Sequence, residues 1–474
     1  MGDIIGRKRE ITQLNKVVSS KNAEFAVIYG RRRVGKTYLI REYFNQTFDF
    51  ELTGLANANT SQQLVNFHTA LQRQSKNPSD QLPTNWFEAF QQLIDHLISI
   101  KTSSKRVVFL DELPWMDTSR SDFVMALEHF WNSWADKQKD VVLIGCGSAA
   151  SWMINKLVNN HGGLHNRITE RIKLLPFDLQ ETELLLKSNN NVLDRYQILQ
   201  IYMVMGGIPF YLNKISPDKS AAQNIEELCF RKGALLASEF KNLFVSLFKN
   251  ATRHEQVVTA LSSRTLGMTR KELVKATKMS TGGGLTRLLF ELEESGFIGS
   301  YIPFNKKSRD TIYQLTDFYS SFYLKFIKSN TNYDSGVWTN AIDNPTQRAW
   351  AGFAFERVCQ AHTFQIKKAL GIHGILSSTS SWRSTKLKNG AQIDLVIDRR
   401  DQVISLCEMK YSISPFKITS SYNENLRNKV ATFKEETKTR KALFLTMITT
   451  FGLHKNKYSS SLVQNDLTMD ALFD

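Results

Sequence analysis

Over residues 1–180, short apolar runs rich in β-branched and aromatic residues alternate with longer stretches of helical periodicity. The runs Phe25–Tyr29, Phe48–Leu52, Arg106–Leu110, Val141–Cys146 and Glu170–Leu174 read as strands, and the alternation is the pattern of a parallel α/β sheet. Residues 181–249 are helical in period, with Gly206-Gly207-Ile208-Pro209 as the clear interruption. Helical spacing returns at Glu255–Ser262, Thr269–Thr277 and Gly284–Ser295, followed by two alternating runs at Gly296–Ile302 and Thr311–Leu315. Asn330–Asn344 is polar and turn-rich and reads as a linker. Residues 345–474 then run helix, strands, helix, strand, a second α/β pattern. Neither an internal repeat nor a low-complexity tract interrupts this order.

The 250–328 pattern, three helices and a hairpin, predicts a winged helix-turn-helix. A length of 474 residues with 42% hydrophobic content suits two to four domains, and 22% charged residues argues against wholesale disorder. No apolar run approaches the roughly 18 residues of a membrane span. The start, Met1-Gly2-Asp3-Ile4-Ile5-Gly6-Arg7-Lys8, lacks the apolar core of a signal peptide, and Arg7 stands where a myristoylated Gly2 would want a small hydroxyl residue. Cys146, Cys229, Cys359 and Cys407 have no metal-ligand spacing and read as reduced core cysteines of a cytosolic protein. The net charge of +16 attracts polyanions, so a nucleic-acid partner, DNA first, stands level with a merely basic surface.

The first chemical signal is Gly30-Arg31-Arg32-Arg33-Val34-Gly35-Lys36-Thr37, which fits G-x-x-x-x-G-K-[ST]. It lies between the apolar strand ending at Tyr29 and the helical run from Tyr38, the context that a phosphate-binding loop requires. Successive backbone N–H groups and the helix N-terminus make an anion nest, Lys36 would reach the outer phosphates, and Thr37 would ligate Mg²⁺. The chain is therefore expected to bind a nucleoside triphosphate. Arg106–Leu110 leads into Asp111 and Glu112, the former suited to the Mg²⁺ shell and the latter to polarising the attacking water. Ser148, after Val141–Gly147, is either a contact for γ-phosphate or water, or a strand-to-helix cap. Arg167 and Arg171 are the candidate arginine fingers, Arg171 the weaker.

These residues resemble the archaeal-type ATPase family, the DEXX-box ATPases, within the AAA-like/STAND assemblage. The likeness rests on Ile5-Gly6-Arg7-Lys8-Arg9-Glu10, the Gly30–Thr37 loop, Phe109-Leu110-Asp111-Glu112, Gly147–Met153 and Gly206–Leu212. It implies ATP as the nucleotide, with Ile5-Gly6-Arg7 near the base, and it gives Arg167 the finger position. Asn166 stands where the family has Gly before that arginine.

The basic wing tip Asn305-Lys306-Lys307-Ser308-Arg309 suits phosphate contact. Glu291, Glu293 and Glu294 make the third helix a poor reader of a groove beyond its first turn, near Ser280–Gly284. Farther along, Gly390–Asp398 and Val403–Lys410 alternate as two strands around the turn Arg399–Gln402. Period-two geometry puts Glu408 and Lys410 on one face, and the hairpin can bring Asp394 beside them. Two carboxylates and a lysine at such an end can hold Mg²⁺ or Mn²⁺, with the lysine orienting water and stabilising phosphorane charge. The bland alternative is a solvated hairpin face.

This set resembles the PD-(D/E)xK nuclease core. Asp394, Glu408 and Lys410 match D…ExK, Glu356 matches the acidic residue of the preceding helix, and Ile393 replaces the proline. Similar C-terminal domains accompany the ATPase family, so the resemblance spans the chain. The expected fold is a P-loop NTPase parallel sheet (1–180) with a helical lid (181–249), a winged helix (250–328) and an α/β restriction-endonuclease-like domain (345–474). The expected function is an ATPase controlling a metal-dependent nuclease on DNA, with a homo-oligomer admitted by fingers that act across subunits. The other reading is a STAND-like ATP switch that binds nucleic acid or protein without cutting. A motor is disfavoured, because tandem helicase motifs are missing.

Overall fold

The computed structural model describes residues 4–158, 166–248, 250–330, 336–342, 344–384 and 391–474. Two compact units form, one of Met1–Pro176, Ser246–Lys249 and Phe290–Gly296, the other of Phe177–Val245, Asn250–Leu289 and Phe297–Asp474.

The first unit is built on strands β1 (Glu24–Tyr29), β2 (Phe50–Thr53), β3 (Arg106–Asp111), β4 (Val141–Gly147) and β5 (Glu170–Lys173), in the order β2-β3-β4-β1-β5. All four pairings are parallel. Every residue of β3 and β4 is buried. Parallel strands covered on both faces read as continuous apolar runs rather than alternating ones, which is why the sequence located them. Aromatic bulk on one face fixes the helices Trp86–Ser99 and Phe123–Ser133: Phe67, Trp86, Phe90, Phe123, Phe130 and Trp131 form one cluster with the sheet. β2 begins two residues later than the apolar run suggests, because Asp49 turns its carboxylate onto the Val107 N–H (2.7 Å) while its own N–H meets the Val107 carbonyl (2.9 Å).

In the second unit follow helices Leu179–Ser188, Arg195–Met205, Ala221–Cys229 and, up to Val245, Leu235–Leu247. The Gly206-Gly207 break has a packing cause. The Phe177 N–H donates to the Gly207 carbonyl at 2.7 Å, and a Cβ on Gly207 would sit 1.7 Å from the Phe177 carbonyl oxygen. Helices Ala251–Ser262, Arg270–Thr277 and, up to Leu289, Gly283–Glu294 come next, with β6 (Met268–Thr269), β7 (Ile298–Tyr301) and β8 (Ile312–Leu315) in an antiparallel sheet ordered β6-β8-β7.

The expected linker is corrected in its described part, residues 331–335 and 343 lying outside the described residues. Trp338 is 8% exposed, and its ring meets Phe230, Phe322, Phe326 and Trp350 at 5.0–6.1 Å. The Glu226 carboxylate accepts from the N–H groups of Gly336, Trp338 and Thr339 at 3.1, 2.6 and 3.2 Å. A polar composition concealed one aromatic anchor.

The last sheet contains β9 (Ser377–Arg383), β10 (Gln392–Arg399), β11 (Val403–Lys410), β12 (Ala442–Thr449) and β13 (Asn465–Thr468), ordered β13-β12-β11-β10-β9. β9, β10 and β11 are antiparallel neighbours, whereas β11, β12 and β13 pair in parallel. The long helix Ser420–Thr437 makes the crossover between β11 and β12 and buries Leu426 and Phe433 against Trp382, Val396, Leu406 and Met447. Gly390, expected at the start of β10, lies outside the described residues.

Candidate functional site

The loop after β1 is shaped by two glycines at positive φ, of which Gly30 also has no room for a side chain. Gly30 has φ +150°, and a Cβ there would lie 2.2 Å from the Leu174 carbonyl oxygen. Gly35, at φ 91°, enters the helix Lys36–Tyr43 without a capping side chain, so the first-turn N–H groups face the loop. Lys36 is 5% exposed and folds over the loop, donating to the carbonyls of Gly30 (3.1 Å) and Arg31 (3.0 Å). Arg31 is buried, Arg32 and Arg33 are partly so, and Arg33 is left-handed at φ 71°. Val34 is 1% exposed and anchors the loop in the core. Arg7 ties it from behind, donating to the carbonyls of Leu175 (2.7 Å) and Val34 (3.0 Å). The reading of Ile5-Gly6-Arg7 as a base-side element did not anticipate this strap.

In the order β2-β3-β4-β1-β5, β4 separates the loop strand from the acidic strand. The ends of three neighbouring strands therefore deliver Thr37, Ser148 and the Asp111-Glu112 pair to one edge, where α/β sheets bind ligands. The Thr37 hydroxyl donates to Asp111 Oδ2 at 2.8 Å, and Asp111 Oδ1 accepts the Glu112 N–H at 3.0 Å. A hydroxyl and a carboxylate in contact are the hard oxygen donors that suit Mg²⁺. Glu112 is left-handed (φ 51°), which turns its side chain toward β4. There Ser148 meets both carboxylate oxygens, its hydroxyl donating to Oε1 at 2.6 Å and its N–H to Oε2 at 3.1 Å.

The structure does not bring Arg167 to this edge. It precedes β5 and so lies at the N-terminal end of the parallel sheet, where its side chain, 46% exposed, pairs with Asp136 at 3.3 Å. Asp136 itself precedes β4. The loop carrying Lys36 is at the other end.

A second polar cluster lies on the β10–β11 hairpin. Leu395 pairs with Cys407, so Asp394 and Glu408, the next residue on each strand, come level. The β9–β10 register shifts between Ile393 and Val396, an irregularity that re-aims the side chains beside it. Asp394 and Glu408 are 9% and 3% exposed. Glu356, on the helix Pro345–Ala361, joins them electrostatically: burial, and then the Asp394 charge, push its carboxyl up to about 8. Burial and the Glu408 charge push Asp394 up to about 6. Glu408 goes the other way, for although burial opposes ionisation, Lys410 and Lys429 together outweigh it. Lys410 Nζ is 3.2 Å from Glu408 Oε1.

Sequence reasoning missed two members. Lys429, on the Ser420–Thr437 helix, donates to Glu408 Oε1 and Oε2, each at 2.8 Å. The Tyr422 hydroxyl donates to Oε1 at 3.0 Å. Both lie on a helix of mixed polarity, where the sequence gives a lysine and a tyrosine no partner. Among the described residues, no group of three or more His, Cys, Asp or Glu side chains is set to hold a metal ion. Mg²⁺ often takes only one or two protein carboxylates plus water, so Asp394 and Glu408 fit it in kind and number. Residues 305–309, the basic segment between β7 and β8, are exposed throughout.

Among the described residues, no helix is long and apolar enough to cross a membrane. Across 413 residues the chain is 22% identical to an uncharacterized protein of Methanocaldococcus jannaschii, covering 86% of this chain and 87% of the relative. Among solved structures, the Walker-type ATPase of Pyrococcus abyssi is similar over 68% of this chain and 96% of its own, at 18% identity and a TM-score of 0.49. The ORC2 protein of Aeropyrum pernix, solved with ADPNP and ADP, is similar over 72% of this chain and 96% of its own, at 16% identity and a TM-score of 0.43. Residues 4–215 match the family described as an ATPase domain predominantly from Archaea. That match covers the N-terminal part of the chain, whose loop, acidic strand and parallel sheet are those of a P-loop ATPase domain.

Proposed function

We propose that the ATPase domain controls a metal-dependent nuclease in the C-terminal sheet, acting on DNA. The observation that carries this is the convergence of Asp394, Glu408 and Lys410 on one hairpin, with the Glu356 carboxyl feeling the Asp394 charge from the neighbouring helix. A Mg²⁺ or Mn²⁺ ion held by Asp394 and Glu408 would supply Lewis acidity and a more acidic water. Lys410 contributes an ammonium charge at the same carboxylate, suited to orienting water and stabilising phosphorane charge. In the ATPase domain, Thr37 and Asp111 would hold Mg²⁺, and Glu112, fixed by Ser148, accepts the proton of the attacking water.

Residues 250–328 act as a winged helix whose exposed segment Asn305–Arg309 grips phosphates without reading sequence, in keeping with a net charge of +16. Arg167 would reach a nucleotide only in another copy of the chain, so its role as a finger goes with a homo-oligomer. Four buried, unbridged cysteines support a reducing, cytosolic setting.

The second reading, an ATP switch that binds nucleic acid without cutting, is favoured by one contact: Lys429 engages both oxygens of Glu408. Incubation of the purified chain with single- and double-stranded DNA and RNA, in Mg²⁺ or Mn²⁺ with and without ATP, separates the two. Cleavage that disappears in Asp394→Ala and Lys410→Ala supports the nuclease. Cleavage that persists in both variants, or none in wild type, leaves the switch.

A further inference from the structure

Glu408 is the most heavily engaged carboxylate of the hairpin. Oε1 takes Lys429 at 2.8 Å, the Tyr422 hydroxyl at 3.0 Å and Lys410 at 3.2 Å, whereas the partner of Oε2 is Lys429, at 2.8 Å. The two lysines differ in kind. Lys410 belongs to β11 itself, two residues from Glu408, and approaches one oxygen from the side, with its Nζ also 5.6 Å from the centre of the Tyr422 ring. Lys429 arrives from another element and straddles the carboxylate, its side chain 20% exposed against 4% for Glu408. It occupies the position from which a single cation engages both Glu408 oxygens.

We propose that Lys429 is the resident counter-ion of this site, and that a divalent ion binds Asp394 and Glu408 only by displacing it. The proposal rests on the nuclease reading for the identity of the metal ligands, but it concerns the lysine. A carboxylate buried this deeply needs a positive partner. Without a metal, Lys429 provides one. With a metal, a divalent ion and the Lys429 ammonium would be like charges crowded on one carboxylate, and the exposed side of Lys429 gives its flexible stem somewhere to go. Tyr422 and Lys410 keep Oε1 oriented through the exchange, and Oε2 is the oxygen that is released. The lysine thereby lowers metal affinity in the resting site, and anything that draws it away, such as a phosphate of the substrate strand, favours metal entry. Substrate and metal would then bind cooperatively.

The test is Mn²⁺ binding to the full chain by isothermal titration and by the Mn²⁺ paramagnetic signal. Lys36→Ala goes into every sample, so that binding at the nucleotide loop does not differ between them. Lys429→Met should bind Mn²⁺ at the hairpin at least tenfold more tightly than the parent, Lys429→Arg should bind like the parent, and Lys410→Met should not bind more tightly. Lys429→Gln is the second variant, should the methionine fail to fold. Asp394→Ala identifies the hairpin's share of the signal. Equal or weaker binding in both Lys429→Met and Lys429→Gln, with the parent binding normally, overturns the displaced lysine and leaves the nuclease reading standing. No Asp394-dependent binding in any variant overturns both.

Discussion

Ser148 holds Glu112 by both carboxylate oxygens, through its hydroxyl at 2.6 Å and its N–H at 3.1 Å. The contact joins the ends of β3 and β4 and gives Ser148 a partner that neither of its two readings named, a side chain of the acidic pair. If Glu112 polarises the attacking water, its aim depends on this serine. Ser148→Ala removes the hydroxyl and keeps the N–H. A positioned general base contributes about 10²–10⁴ in rate, so partial loss of aim is expected to lower kcat for ATP hydrolysis about tenfold, with KM little changed. Glu112→Gln should lower kcat further, and adding Ser148→Ala to it should cost almost nothing more. Steady-state kinetics of the two single variants and the double variant check the coupling.

Gly30 and Gly35 are predicted to fail differently when changed to alanine. At Gly30 the new methyl meets the Leu174 carbonyl oxygen at 2.2 Å, whereas at Gly35 nothing lies within 4 Å. Gly35→Ala carries only the left-handed penalty of about 1–2 kcal/mol. Gly30→Ala must also push β5 away from the loop, and it should cost roughly 3 kcal/mol or more and abolish ATP binding. Thermal melts with and without ATP distinguish them: Gly35→Ala keeps a ligand-induced rise in Tm, and Gly30→Ala does not.

Much of this site was legible because the chemistry is local. Lys36 and Thr37 are adjacent, Asp111 and Glu112 end an apolar strand, and β3 and β4 are uninterrupted runs of buried residues. Signals that depend on a distant partner were not legible. β9 reads Ser-Ser-Thr-Ser-Ser-Trp-Arg, which gives no apolar alternation; it is a strand because β10 pairs with it and because the Phe304 N–H caps its Ser381 carbonyl at 2.9 Å. β6 is two residues long, too short for any period. Lys429 lies 21 residues from Glu408 on a helix bearing both charges, where only the crossover of that helix reveals its task. Arg167 shows the converse. Its place in a motif suggested a finger, and the direction of a parallel sheet carries it to the far edge from its own loop.

Glu356 gives the C-terminal sheet a pH dependence of fixed sign. Burial and the Asp394 charge lift its carboxyl from 4.5 to about 8, so between those values the folded chain holds a proton that the unfolded chain has released. Stability from this group is complete below the unfolded value and is lost as pH rises through about 8. Asp394, lifted to about 6, acts in the same direction at lower pH. Wild type should therefore melt lower at pH 9 than at pH 6, in the presence of chelator, and Glu356→Gln should flatten that difference. A melting temperature that rises over this range only in wild type would contradict the assignment.

Trp338 and Glu226 together predict that the short segment 336–342 is a brace. The tryptophan ring stacks on Phe230 at 5.9 Å with an interplanar angle of 9°, and it is edge-on to Phe322 at 5.0 Å. Glu226, 5% exposed, accepts the N–H groups of Gly336, Trp338 and Thr339, of which that of Trp338 is buried. Truncating a buried Trp to alanine costs about 3–5 kcal/mol, and Trp338→Ala should fall in that range. Glu226→Gln keeps one acceptor oxygen and should cost roughly 1–3 kcal/mol, the usual effect of leaving buried donors unsatisfied. The two losses should be less than additive, since both variants release the same segment. ATP affinity, which depends on the Gly30–Thr37 loop, should be unchanged in either. Chemical denaturation followed by nucleotide titration tests both halves. A segment that was only a tether would tolerate Trp338→Ala with no measurable loss of stability.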